Sequence, residues 1–121
     1  MAIILLTGSS RGIGAAAKAA LAARGQRVIG QARRAAESDT LAAELGEPGA
    51  AETLWHAALG EAGGTIDVLV NNAGVFEANP IGRSDEDWHA AWEETLRINL
   101  TSAAALSRLA VRHWQERRTA G

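Results

Sequence analysis

Three glycines within seven residues, Gly8, Gly12 and Gly14, separate an unbroken apolar run from an Ala-rich stretch, and no other feature restricts the fold as much. The run is Ile3-Ile4-Leu5-Leu6, ended by Thr7. Continuous apolarity over so few residues, with β-branched side chains, suits a parallel strand buried on both faces. The stretch from Gly12 to Arg24 is rich in Ala, the best helix former, and Gly25 is the usual residue just past a helix end. Arg27-Val28-Ile29-Gly30-Gln31 reads as a second strand. Strand, glycine loop, helix and strand thus follow within about 30 residues, the length of a βαβ unit.

In such a loop one glycine permits the tight turn and a second lets backbone amides approach a phosphate. The third lets helix and strand pack closely, and the anion sits on the positive end of the helix dipole. The spacing here is Gly-x-x-x-Gly-x-Gly, and the Lys-Ser/Thr of a phosphate-binding P-loop is absent. Taken alone, the glycines fit a dinucleotide site and a ligand-free tight turn equally.

Downstream, residues 37–45 and 51–62 read as two helices joined by Gly46-Glu47-Pro48-Gly49, with Leu41 and Leu45 on one face of the first and Leu54 and Ala58 on one face of the second. Ile66 to Val70 reads as a third strand running into Asn71-Asn72-Ala73-Gly74. Ser84 followed by Asp85, Glu86 and Asp87 is a helix start, a capping side chain with acids in the first turn. From there to about Arg118 the pattern is helical, with Leu96, Asn99, Leu100, Ala103, Leu106 and Ala110 along one stripe.

Composition narrows the function classes. The 121 residues fit one domain. A net charge of −2 argues against a nucleic-acid binder, and the absence of Cys excludes disulfides, thiolate metal sites and a Cys nucleophile. His56, His89 and His113 are not at metal-ligand spacing, so no metal is assigned. No apolar run approaches the ~20 residues needed to cross a bilayer, and a cytoplasmic protein is the default expectation. Residues 1–34 nevertheless carry six bases and no acid, the distribution expected where the first third meets an anion.

Thr7-Gly8-Ser9-Ser10-Arg11-Gly12-Ile13-Gly14 resembles the cofactor loop of the short-chain dehydrogenase/reductase family. Asn71-Asn72-Ala73-Gly74 resembles its second motif, and Asn99 matches its helix Asn. The resemblance covers the whole chain but only the first half of a family member, and β-ketoacyl-acyl-carrier-protein reductases are the most similar by motif. It implies cofactor binding by Gly8, Ser9, Ser10, Arg11, Gly12, Ile13 and Gly14, and by the backbone around Asn72, Ala73 and Gly74. It also implies that Asn71 ties neighbouring strands together and that Asn99 holds a water in a proton relay. Homo-oligomers through the 84–118 helix are implied as well.

The second strand ends at Ala32, Arg33 and Arg34, and no acid precedes Glu37. A carboxylate at that strand end usually holds an unphosphorylated ribose, whereas guanidinium groups bind phosphate through paired, charge-assisted hydrogen bonds. Arg33, Arg34 and Arg11 therefore predict NADP(H) in preference to NAD(H).

The resemblance further implies a Tyr acid/base with a nearby Lys and a carbonyl-orienting Ser, all expected beyond residue 121. The chain has no Tyr, and its sole Lys is Lys18. Between the two motifs it is also about ten residues shorter than the family pattern. Either a strand and its adenine-contacting Asp have been deleted, or residues are absent near 48–51. The expected fold is α/β: a single Rossmann-like domain over 1–121, three-layered and incomplete at its C-terminus. Its parallel sheet is expected to have three strands in the order 2-1-3. Two functions stay open: the cofactor-binding half of an NADP(H)-dependent oxidoreductase acting on a small carbonyl or alcohol, inactive alone, or a non-catalytic nucleotide-binding or interaction module.

Overall fold

The computed structural model describes residues 1–34 and 37–120. In chain order the elements are β1 (Ile3–Thr7), α1 (Gly12–Ala23), β2 (Arg27–Ala32), β3 (Thr40–Ala42), α2 (Ala50–Glu61), β4 (Val68–Val70), α3 (Asp85–Leu96), a π-helical turn (Arg97–Thr101) and α4 (Ser102–Ala120). The four strands form one parallel sheet in the order β3-β2-β1-β4. Ile4 stands beside Val28 on one side and Val68 on the other, so β1 is central, as its unbroken apolarity requires. The structure is therefore the expected parallel α/β fold, with one strand more than the three predicted.

That strand lies inside the stretch expected to be helical. Leu41 and Leu45 share a helical spacing, yet residues 40–42 pair with β2. The amide of Gly30 donates to the Asp39 carbonyl, that of Ala43 to the Ala32 carbonyl (both 2.9 Å), and the buried Gln31 side chain donates to the Ala43 carbonyl at 2.8 Å. An open edge of β2 offering these partners outweighs the helix propensity of Leu, Ala and Glu, which is weak by comparison. Residues 40–42 thus supply an edge strand beside β2. The 46–49 turn joins β3 to α2, and the backbone runs through it with Ala50 and Thr53 donating to the Glu47 and Gly49 carbonyls.

The main core lies between one face of the sheet and α2 with α4: Leu5, Ile29, Leu45, Leu54, Trp55, Ile66 and Leu106 are all buried. Ile4, Leu6 and Val28 are also buried and alternate with this set along the strands, so they face α1 on the other side. Ser84 caps α3 as expected, its hydroxyl accepting from the Asp87 amide at 3.2 Å. The apolar stripe of the last helix holds only in its second half. Ile98, Ser102, Leu106 and Ala110 are buried, while Leu100 is 62% exposed and Leu96 and Asn99 also face outward. The π turn at 97–101 inserts a residue and rotates the phase between α3 and α4, which periodicity across the junction does not register. Among the described residues no helix is long and apolar enough to cross a membrane.

Two carboxylates pin the ends of this framework. Asp67 accepts from the Ile3 amide at 2.8 Å and from Arg117 at 3.2 Å, tying β1 to the end of α4. Asp39 accepts from Lys18 at 2.7 Å, tying the entry to β3 onto α1. The amide of Ile3, then Arg117, holds the Asp67 carboxyl below its ordinary pKa; Lys18 does the same for Asp39. A depressed carboxyl pKa contributes stability that is present above the ordinary carboxylate range and is lost as pH falls through the folded-state value. Urea-unfolding midpoints are therefore expected to drop below pH ~4. Asp67→Asn should be less stable than the unsubstituted chain at pH 7 and converge on it in acid. A difference that does not change with pH would remove this account.

Candidate functional site

The loop after β1 is held from three sides. Thr7 Oγ1 accepts from the amides of Asn72 (3.1 Å) and Ala73 (3.0 Å), and Asn72 Nδ2 donates to the Gly8 carbonyl at 3.1 Å. From β2, Gln31 Oε1 accepts from the Gly8 amide at 2.9 Å. It is Asn72, not Asn71, that ties the β1 and β4 ends together. Asn71 instead donates to Ser107 Oγ on α4 at 3.0 Å, at the end of the sheet that β4 forms. Gln31 and Thr7 were not anticipated, although a buried Gln inside an apolar strand was a signal available in the sequence.

Gly14 does what no other residue could. The backbone of Gly14 lies against the Gly8 carbonyl so closely that a Cβ would overlap it, and this lets α1 start directly on β1. Gly12, with φ at +59°, has open space on its side-chain side. The N-cap of α1 is Arg11, which makes no side-chain cap, and no acid lies in the first turn. The amides that open α1 therefore lack the side-chain acceptor that such ends usually have.

These residues line a cavity of about 850 Å³ at the C-terminal ends of the strands. Of the predicted positions, Gly8, Ser10, Arg11, Gly12, Ile13, Gly14, Ala32, Arg33, Arg34, Asn72, Ala73 and Gly74 all border it. Ser9 and Asn99 do not. Ser9 is buried beneath the loop, its hydroxyl on the Gln31 carbonyl at 3.3 Å. Asn99, within the π turn, grips Val75 through both amide atoms: Oδ1 accepts from the Val75 amide and Nδ2 donates to its carbonyl, each at 2.7 Å. Val75 itself lines the cavity, so Asn99 touches the site through its neighbour.

The cavity also holds three carboxylates that sequence reasoning missed: Glu44 after β3, Glu77 in the loop after β4 and Glu94 on α3. Only folding brings them beside Arg33. Arg33 Nε donates to Glu44 Oε2 at 2.9 Å, and Glu44, followed by Glu94 and Glu77, raises the Arg33 pKa. Arg11 and Arg34 have no partner among the described residues. Three guanidinium groups against three carboxylates give the lining no formal net charge.

The model of the short chain dehydrogenase family matches residues 2–121. The chain is 35% identical to the 3-oxoacyl-[acyl-carrier-protein] reductase of Vibrio cholerae over 96% of its own length and 50% of that protein, so it spans about half of the curated relatives it matches. Among solved structures, the 3-alpha-hydroxysteroid dehydrogenase of Pseudomonas sp. B-0831 complexed with NADH is 34% identical, with a TM-score of 0.68 over 90% of this chain and 38% of that one. A blue fluorescent protein from a metagenomic library, in complex with NADPH, is 28% identical with a TM-score of 0.76, covering 92% and 50%. With its glycine loop, Asn-Asn-Ala-Gly turn and parallel sheet in the same order along the chain, this protein belongs to the short chain dehydrogenase family.

Proposed function

We propose that this chain is the nicotinamide-dinucleotide-binding part of a short-chain oxidoreductase and that it takes NADP(H) in preference to NAD(H). The observation that carries the reading is a single cavity holding the uncapped start of α1 together with the guanidinium groups of Arg11 and Arg34, which have no partner among the described residues. A diphosphate would meet the amides and the helix dipole at Gly12–Gly14, and a further phosphate would meet the arginines. Asn72, Ala73 and Gly74 would line the nucleoside side. The residues present fit such a group in size and donor set.

Bound there, the nicotinamide ring supplies hydride transfer to or from a small carbonyl or alcohol. The chain's own part is binding and orientation. It has no Tyr, and Lys18 is engaged by Glu37 and Asp39 between α1 and the entry to β3, away from the cavity, so proton donation to a carbonyl is not assigned to any of its residues. Asn99 is a positioning residue in this reading, fixing the Val75 backbone at the cavity wall, with the relay water as its family counterpart. We place the protein in the cytoplasm on the same family ground.

Titration of the chain with NADPH and NADH, following nicotinamide fluorescence, tests the reading. Tighter binding of NADPH is expected. Binding of neither would leave the interaction-module reading in its place.

The same proposal includes a homo-oligomer through α3 and α4. Trp92, Leu100 and Val111 are about half exposed or more along this helix. Its first half carries Asp85, Glu86, Asp87, Glu93 and Glu94, and its second half Arg108, Arg112, Arg117 and Arg118. Antiparallel pairing of two copies would oppose these charges and cover the apolar residues. Leu100→Asp is expected to shift the sedimentation profile to monomer and to give a urea midpoint that no longer depends on protein concentration. A monomeric unsubstituted chain would end this part.

A further inference from the structure

Among the described residues, Arg33 is the one guanidinium of the cavity that already has a counter-ion, and the counter-ion comes from a residue that follows a different strand. Glu44 follows β3 and reaches Arg33 at the end of β2, at 2.9 Å. The missing acid at the end of β2 was the sequence argument for a phosphorylated cofactor, and folding places a carboxylate there by another route. Glu44 engages Nε only, leaving the two terminal nitrogens of Arg33 as a fork for an anion.

We propose that Glu44 sets the discrimination between 2′-phosphorylated and 2′-hydroxyl dinucleotides by holding down the affinity for the phosphate. This rests on the dinucleotide reading above. A phosphate dianion approaching Arg33 meets the Glu44 carboxylate on the same guanidinium, with Glu77 and Glu94 lining the same cavity, so part of the attraction of Arg33 is cancelled. A ribose hydroxyl carries no charge to be repelled, and a carboxylate is the group that accepts its hydrogen bond. One residue thereby disfavours the first cofactor without penalising the second. Discrimination is then smaller than three arginines alone would produce.

The test is the Glu44→Gln chain, which keeps a hydrogen-bond acceptor for Arg33 and loses only the charge. Dissociation constants for NADPH and NADH are measured on it and on the unsubstituted chain at low and high salt. Glu44→Gln is expected to tighten NADPH roughly three- to tenfold, the scale of one partly exposed charge contact, and to leave NADH unchanged or weaker. The gain should shrink at high ionic strength, where exposed charges are screened. An unchanged ratio of the two constants, or equal loss for both cofactors, overturns the role of Glu44 while leaving the dinucleotide reading standing. Failure of both chains to bind either cofactor overturns that reading, and this proposal with it.

Discussion

Gly14→Ala is expected to abolish dinucleotide binding and to destabilise the fold by ~3 kcal/mol or more, the upper end for an overpacked site. The added methyl group would overlap the Gly8 carbonyl and approach Asn72 Nδ2. Neither can give way cheaply. Gly8 is held by Gln31, and Asn72 is held by both Thr7 and the Gly8 carbonyl itself. The helix would have to lift from β1, carrying the amides of Gly12 and Ile13 out of the cavity. Gly12→Ala is the contrast: no atom lies within 4 Å of its added methyl, so only the left-handed backbone is strained, at about 1–2 kcal/mol. Urea unfolding and NADPH titration of the two variants check this. Equal stability losses would show that contact with the Gly8 carbonyl is not what requires glycine at 14.

Arg33→Asp combined with Arg34→Ala is expected to weaken NADPH by roughly a hundredfold and NADH by no more than about threefold. Both guanidinium groups border the cavity, and neither is needed by the core: both residues are exposed. The substitution removes two cations and adds an anion beside Glu44, so the cost falls on whichever ligand brings the extra phosphate. The urea midpoint should hardly move. Parallel losses for both cofactors would mean that the arginines serve the diphosphate or the fold, and the preference for the phosphorylated cofactor would fall.

Much of this site was legible because its parts are local. The glycine loop, the helix after it and the Asn-Asn-Ala-Gly turn are each set by residues adjacent in the chain, where backbone freedom, Ala propensity and capping act over a few positions. The Ser84 cap and the burial of Leu54 and Ala58 were readable on the same ground. β3 was not readable. Thr40-Leu41-Ala42 carries no strand signal of its own, and what makes it a strand is the open edge of β2, whose partners lie about ten residues away. Nor was the turn of phase at Arg97–Thr101 readable, since a periodicity argument assumes the very regularity that a π turn breaks.

The amino-acid order alone therefore decided the α/β class, the glycine loop and the basic strand end, because those depend on short-range sterics and on charges close in sequence. Tertiary structure alone decided that Glu44 pairs with Arg33, that Arg11 and Arg34 find no side-chain partner among the described residues, and that Asn99 reaches the cavity wall through Val75. Each of these joins residues from different elements, and a charge or an amide takes its partner from what lies within ~3 Å in space, which chain distance does not record.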